Sequence, residues 1–340
     1  MINRLFKMQE KEKKYSFSIV IPCYNEEDHI SFCLDSILDQ NYNIDLIEIV
    51  IVDGLSTDRT QQIIKQYQKT YSNIKFYTNP DRKTPQSLNI GIKNSNSDVI
   101  VILGAHTRIQ NDFIYYNNKF LNEKNIEVCG GTQINKGLTY IQNAIGISMS
   151  LPFAMASASY RWSKREQFVD TVVYAAYKKR LFDKIGYFEE DFTISEDAEL
   201  NWRIRKAGYK IFYSPRIISY YYPRKSIFKF IKQMFRYGIL RVNVLKKHLD
   251  SIKIVHLVPP IFVISIIILA LLALGNIIES KILIFFSLFY FFVNLLFSVL
   301  TLSSKKIMFL PIVPLLTFLM HFFWGLGFIV GLLLPRSHKW

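Results

Sequence analysis

Along the first 220 or so residues, apolar and polar positions alternate in blocks. FSIVI, Phe17 to Ile21, is a short apolar and β-branched run stopped by Pro22, the pattern of a buried strand. Ile30, Cys33, Leu34, Ile37 and Leu38 then recur at helical spacing. The alternation continues with a strand from Ile47 to Val52, a helix from about Arg59 to Lys69, a strand from Ile74 to Tyr77, a helix from Thr84 to Asn94 opening near Pro85, and a strand from Val99 to Leu103. This β-α-β-α order predicts an α/β domain built on a mainly parallel sheet with both faces covered. The stretch from Val128 to Asp191 is less regular. Val128 to Gly131 reads as the end of a strand, Val169 to Ala176 as a strand and Lys178 to Ile185 as a helix; Ile141 to Ser159 could pass for a weak membrane segment, but Pro152 interrupts it and a packed or membrane-facing small-residue surface fits better. In ISEDAELNWRIRKAGY, Ser195 suits a helix N-cap and Glu196 and Asp197 its first turn. Leu200, Trp202, Ile204 and Ala207 follow at mostly helical spacing, Gly208 suits a left-handed C-terminal cap, and Lys210 to Tyr213 reads as a strand.

The pattern changes after Ser226. Phe228, Ile231, Phe235, Ile239 and Val242 are interleaved with Lys229, Lys232, Arg236, Arg241 and Lys246, which fits helices lying on a bilayer surface. A solvated helix packed on the domain is the plainer alternative. Three apolar runs follow, Ile254 to Ile278, Ile282 to Leu302 and Ile307 to Leu334, each reaching the ~20 residues that a helical span needs. With the α/β part in the cytosol, three spans put Lys305 and Lys306 inside, in keeping with the positive-inside tendency. They put the basic tail PRSHKW outside, against it. A re-entrant third run would return the tail, and the sequence leaves both arrangements open. The expected organisation is a tail (1–14), a cytosolic α/β domain (15–222), basic amphipathic interfacial helices (223–253), transmembrane helices (254–334) and a C-terminal tail (335–340).

Charge and cysteine usage narrow the classes. The net charge is +15, and nine Lys/Arg against one acid, Asp250, fall between Arg224 and Lys253, just before the first apolar run. Cations facing anionic lipid explain that placement better than nucleic acid does, and no nucleic-acid-binding signature accompanies it. Cys23, Cys33 and Cys129 are odd in number and lack metal-ligand spacing, as expected of free thiols in a reducing compartment. The segment before the first strand has no apolar core long enough for a signal peptide.

Candidate chemistry gathers at strand ends. Tyr24, Asp53 and His106 each fall just past a strand C-terminus, where open α/β sheets bind ligands. One polar residue there is ordinary turn chemistry; three on one edge point to a site. The glycine patterns of dinucleotide and P-loop sites are absent from the sequence. Glu196 and Asp197 read either as acids complementing a helix dipole or as a general base with its neighbour.

Taken together, SIVIPCYNEE, EIVIVDGLSTDRT, NPDRKTPQSLNIGIKNSNSDVIVILGAHT, VDTVVYAAYKKRLFDKIGYFEE, ISEDAELNWRIRKAGYKI and QMFRYG resemble, in order and spacing, an inverting glycosyltransferase of family 2. The likeness is to the membrane-anchored branch typified by succinoglycan biosynthesis glycosyltransferases. It implies a GT-A fold, a Rossmann-like nucleotide-binding sheet, followed by interfacial helices and about three transmembrane helices. It also implies a multi-pass protein of the cytoplasmic membrane whose catalytic domain faces the cytosol. The resemblance assigns Pro22, Tyr24, Asn25 and Glu26 to the nucleotide pocket, Asp53 to the base of a nucleoside-diphosphate sugar, with uridine the expected base, and Arg82 to its phosphates. Asp197 becomes the base on the acceptor hydroxyl, with Glu196 beside it. Gln233, Arg236 and Tyr237 stand in the family's Q-x-x-R-W element, with Tyr for Trp, toward the acceptor or pyrophosphate. One departure is plain: where the family has D-x-D or D-x-H, this chain has Gly104-Ala105-His106. His106 is then the ligand left for Mn²⁺ or Mg²⁺, both of which prefer oxygen.

The chemistry asks for the same parts. A single displacement at the anomeric carbon needs a carboxylate to take the acceptor's proton and positive charge at the departing diphosphate. The function this implies is transfer from a nucleotide-sugar to a lipid-linked saccharide in the synthesis of a cell-surface glycan. Two alternatives stand beside it. One is sugar transfer to a polyprenyl phosphate, an acceptor that is already an anion. The other is a degenerate, non-catalytic membrane scaffold of a polysaccharide assembly complex, which the loss of an acid at Gly104 would suit.

Overall fold

The structure is a computed structural model and describes residues 13–192 and 196–335. The expected N-cap Ser195 lies outside the described residues. The chain divides into two compact units. The first takes the described residues up to Gln133 together with Ser163–Tyr220, and the second takes Ile134–Trp162 and the described residues from Tyr221 onward.

The first unit opens with the predicted alternation: β1 (Phe17–Cys23), α1 (Ile30–Leu38), β2 (Ile47–Asp53), α2 (Thr60–Thr70), β3 (Ile74–Thr78), α3 (Thr84–Lys93) and β4 (Val99–Ile102). β1 pairs in parallel with β2, from Phe17↔Ile47 to Cys23↔Asp53, and with β4 on its other side. Both faces of this centre are covered, so β1, β2 and β4 read as continuous Ile/Val runs rather than alternating ones. Pro22 does not stop β1. The β4 ladder ends at Val20↔Ile102, so the missing proline N–H falls beyond it.

The remaining strands are β5 (Thr107–Ile109), β6 (Val128–Asn135), β7 (Gln167–Val169), β8 (Ala176–Lys178) and β9 (Ile211–Tyr221). They extend one mixed sheet of order β3-β2-β1-β4-β8-β6-β9-β5, with β7 on β9. β8 runs antiparallel to both β4 and β6. α4 (Phe113–Glu123), α6 (Arg180–Ile185) and α7 (Glu196–Lys206) complete the unit, and α5 (Tyr140–Ser148) belongs to the second.

Two sequence readings change here. Val169 to Ala176 is not one strand but the end of β7, a bent segment with Tyr174 at φ 51°, and the start of β8. Asn201 Nδ2 donates to Thr171 Oγ1 and to the Val172 carbonyl, drawing the bend toward α7 instead of letting it extend. β9 is much longer than Lys210 to Tyr213. Pro215-Arg216 reads as a break in sequence, yet the strand runs through it with its inward positions still buried.

In the second unit the small-residue stretch after Ile141 forms α5. Its Ala144 and Ile145 share a core with Phe230 and Met234 of α8 (Ile227–Lys247). Then come α9 (Ile254–Leu274), α10 (Ser280–Thr301) and α11 (Val313–Leu333). All three are long and apolar enough to cross a membrane by length and composition. The third is shorter than the apolar run that encodes it, because Ser304–Phe309 forms a 3₁₀ turn and Pro314 opens α11. Pro259 and Pro260 sit inside α9.

Candidate active site

The parallel register brings the loops after β1, β2 and β3 side by side. Asn25 adopts φ 53°, a left-handed conformation that asparagine tolerates. Its N–H donates to Ser56 Oγ (2.9 Å), and its Oδ1 accepts from the Thr57 N–H (2.9 Å). Glu26 N–H donates to Thr60 Oγ1 (2.8 Å). Asp53, at the end of β2, is fully buried. It accepts from Ser56 N–H (2.9 Å), Ser56 Oγ (2.5 Å) and Gln61 Nε2 (2.7 Å), so its carboxylate moulds the 54–61 loop from inside. The loop after β3 is fixed by Asn79, whose N–H donates to the Asp53 carbonyl (2.7 Å). Arg82, also left-handed at φ 57°, lies over the exposed Tyr24 ring at 5.1 Å and donates to its hydroxyl (3.3 Å). Pro22, next to last in β1, precedes the first of these loops. The result is a stiff cradle of backbone with one aromatic face and one guanidinium at its rim.

At the end of β4, His106 Nδ1 pairs with Glu26 Oε1 at 3.0 Å. Gly104 has an ordinary backbone conformation, and a Cβ there would meet Thr107 Oγ1 at 3.2 Å. No positive φ demands a glycine there, and a side chain would need the Thr107 hydroxyl to shift by a few tenths of an ångström. Among the described residues no three His, Cys, Asp or Glu side chains gather as a metal set. His106 and Glu26 are one imidazole and one carboxylate already paired, short of a protein cage for a hard cation.

Glu196 and Asp197 open α7, as expected, and both are partly buried. Burial, and then the neighbouring Asp197, push the Glu196 carboxyl up to about 8. Tyr177 of β8 lies within the reach of both acids, and its hydroxyl is pushed up by its own burial first and by their charge second. At the far end, Gly208 has φ 86° and Tyr209 N–H reaches the Ile204 carbonyl (3.1 Å), the expected left-handed cap.

The anchor of α7 is legible only as an E-x-x-x-R spacing and was missed as part of the site. Fully buried Glu199 takes three bonds of 2.9–3.0 Å from Arg203. The same guanidinium donates to the carbonyls of Ile185 (2.6 Å) and Tyr187 (2.8 Å). This buried fork ties the helix bearing Asp197 to the segment after α6.

In the second unit, Gln233, Arg236 and Tyr237 share one face of α8 by their i, i+3, i+4 spacing. Gln233 is buried and its Nε2 donates to the hydroxyls of Tyr237 (2.9 Å) and Tyr221 (3.3 Å). Burial, the largest influence, raises the Tyr237 hydroxyl, so it stays protonated and can donate. Gln233 and Tyr237 thus come together as the sequence suggests.

Known proteins place this arrangement. The family described as "Glycosyl transferase family 2" matches residues 18–186. A dolichyl N-acetyl-alpha-D-glucosaminyl phosphate 3-beta-D-2,3-diacetamido-2,3-dideoxy-beta-D-glucuronosyltransferase of Methanococcus voltae is 34% identical over 94% of this chain and 98% of its own length. The succinoglycan biosynthesis protein ExoA of Rhizobium meliloti (strain 1021) is 26% identical over 68% of this chain and 70% of its own. The solved mannosyltransferase PcManGT of Pyrobaculum calidifontis, in complex with GDP-Man and Mn²⁺, shares the fold with a TM-score of 0.62. That likeness covers 91% of this chain and 86% of that one at 17% identity. The sheet with its strand-end cradle is that of a GT-A enzyme, and the chain belongs to glycosyltransferase family 2.

Proposed function

We propose that this glycosyltransferase moves a sugar, with inversion, from a nucleoside-diphosphate sugar of the UDP type to a lipid-linked saccharide. The observation that carries this reading is the Methanococcus voltae relative, whose name describes transfer onto a dolichyl-phosphate-linked sugar and which matches this chain nearly end to end. Three helices apolar enough to span a bilayer suit an acceptor that lives there. The catalytic domain is assigned to the cytosolic side, where nucleotide-sugars are found.

In this reading the acceptor hydroxyl gives its proton to Asp197. Its oxygen then forms the new bond to the anomeric carbon as the bond to the diphosphate breaks and the nucleoside diphosphate leaves. Glu196, protonated near neutral pH, leaves Asp197 as the carboxylate that takes the proton. Tyr24 and Arg82 form the rim that meets the nucleotide, the ring by stacking and the guanidinium by charge. Asp53 shapes the pocket through its loop, and Asn25 and Glu26 hold the facing strand-end turn. A divalent cation carried mainly by the diphosphate would border His106 and Glu26 and would add positive charge at the leaving group.

The test is a screen of nucleotide-sugars in membranes containing the chain, with Asp197→Asn as control. Transfer should fall about 10²–10⁴-fold in the variant, the usual contribution of a positioned base, while nucleotide binding stays unchanged. Equal transfer by both forms would overturn the base assignment and favour an acceptor that is already an anion.

A further inference from the structure

The second unit contains a hollow that none of the roles above uses. Residues of α8, α9, α10 and α11 and of the segment from Pro152 to Ser157 line a cavity of about 490 Å³. That size falls within the ~300–1,000 Å³ of small-molecule sites and far exceeds the voids of a packed core. The hollow has a floor and a mouth. Met234 and Met320 are buried, whereas Val258 of α9 and Phe289 of α10 are each 58% exposed. The mouth is therefore rimmed by α9 and α10, two helices apolar enough to cross a membrane, and by the exposed Ala156 and Ser157.

The wall of this hollow is fixed. Phe153 stacks on Phe297 (5.0 Å) and meets the His321 ring in a T-shape (5.2 Å), so the 152–157 segment is pinned into the helices. Phe262 of α9 stacks on Tyr290 of α10 (4.3 Å). A Cβ on Gly325 would fall 2.4 Å from the Pro259 carbonyl oxygen, so α9 and α11 are already in backbone contact and the hollow does not come from loosely packed helices. The imidazole and phenol groups of the wall are already engaged. His321 Nε2 donates to the Ala154 carbonyl (3.3 Å), and Nδ1 of the neutral ring accepts from the Tyr290 hydroxyl (2.9 Å). His256 Nδ1 accepts from the Lys253 N–H (3.0 Å). No Lys, Arg, Asp or Glu lines the cavity, and no lining residue carries an enclosed polar atom without a partner. A charged headgroup finds no counter-charge there, and an apolar space of this kind takes hydrocarbon rather than water.

We propose that this cavity holds part of the isoprenoid tail of a lipid-linked acceptor, which enters between α9 and α10. The rings of Phe262, Phe289 and Trp324 offer broad rigid faces, and Met155, Met234 and Met320 offer adaptable ones, a combination that suits a methyl-branched chain. The tail then contributes to acceptor recognition instead of serving only as an anchor in the bilayer. The assignment of a hydrocarbon chain stands on the lining alone; the choice of an isoprenoid over a straight acyl chain rests on the transferase reading above.

The test is photolabelling of the purified full chain in lipid nanodiscs, with no nucleotide-sugar present. The probe is geranylgeranyl monophosphate carrying a diazirine at the end of its tail, and palmitate carrying the same group is the comparison. The isoprenoid probe should label cavity residues such as Phe262, Tyr290 and Met320, and excess geranylgeraniol should displace it, because the tail alone binds. Val258→Trp adds bulk at a rim position that is already exposed, so the fold does not depend on it. It should lower the label about tenfold, since each methylene kept out of the site costs several-fold in affinity. Label confined to outward residues such as Phe285 and Phe292, or label that geranylgeraniol does not displace, would overturn the site. Unchanged labelling of Val258→Trp would overturn its entrance, and equal labelling of the cavity by palmitate would overturn the isoprenoid assignment. A labelled cavity in a chain that transfers sugar to no lipid-linked acceptor would fault the transferase reading, whereas transfer to such acceptors with the cavity unlabelled would fault the site.

Discussion

Single residues show what sequence could and could not reveal about the site. Tyr24, Asp53 and His106 were visible because a polar residue just past a buried strand is a positional signal, and the parallel register puts such residues on one edge. What position could not reveal was the direction each side chain takes. Asp53 turns inward to bond its own loop, while Tyr24 stays exposed against Arg82. Glu196 looked like an ordinary first-turn acid, yet it is the carboxyl that burial and Asp197 raise to about 8. The linkage sign follows from that shift. Between its ordinary value of 4.5 and about 8, the folded chain holds a proton that the unfolded chain has lost, so stability falls as pH rises through that window. Glu196→Gln, neutral throughout, should flatten that decline, as measured by unfolding midpoints across the same pH range. A decline of the same slope in the variant would show that another group causes it.

Among elements, the pattern of apolar residues located nearly every helix and strand of the sheet's parallel half, because buried parallel strands announce themselves as unbroken apolar runs. It failed where contacts far along the chain decide the outcome: the 170–175 bend held by Asn201, and β9 continuing through Pro215. It also did not reveal how α8 is held. A Cβ on Gly327 would fall 2.0 Å from the Phe235 carbonyl oxygen, and one on Gly238 would fall 2.1 Å from that of Trp324. The two backbones meet where only glycine fits, and Gly331 continues the contact against Ile239. Gly327→Ala should therefore destabilise the second unit by about 1–3 kcal/mol, the usual cost of overpacking. Denaturation in detergent would measure it, and an unchanged midpoint would mean that the helices separate without cost.

At the scale of the whole molecule, the contact between α8 and α11 bears on how the chain meets a membrane. The two helices run parallel: Phe230 and Met234 share a core with Leu316 and Met320, Gly238 meets Trp324 to Phe328, and Lys246 Nζ donates to the Gly331 carbonyl (2.8 Å) near the end of α11. Helices joined in this way along their length must share one depth. α8 carries Lys229, Lys232, Arg236, Arg241, Lys246 and Lys247. If α11 crossed the hydrocarbon core, Arg236 and Arg241 would be carried toward its middle, at a cost of roughly 2.5–3.5 kcal/mol each on insertion scales. Lying together at the interface would avoid that cost, and α9 and α10 would then be the spanning pair. With two spans, the positive-inside tendency would be met by the basic PRSHKW of the sequence as well. The expected result is that an impermeant maleimide labels Ser337→Cys from the same membrane face as Lys69→Cys in the first unit, and Glu279→Cys, between α9 and α10, from the opposite face. The native thiols are buried and should add little background. Labelling of Ser337→Cys together with Glu279→Cys would restore three spans, and labelling of all three positions from one face would show that α9 and α10 do not cross.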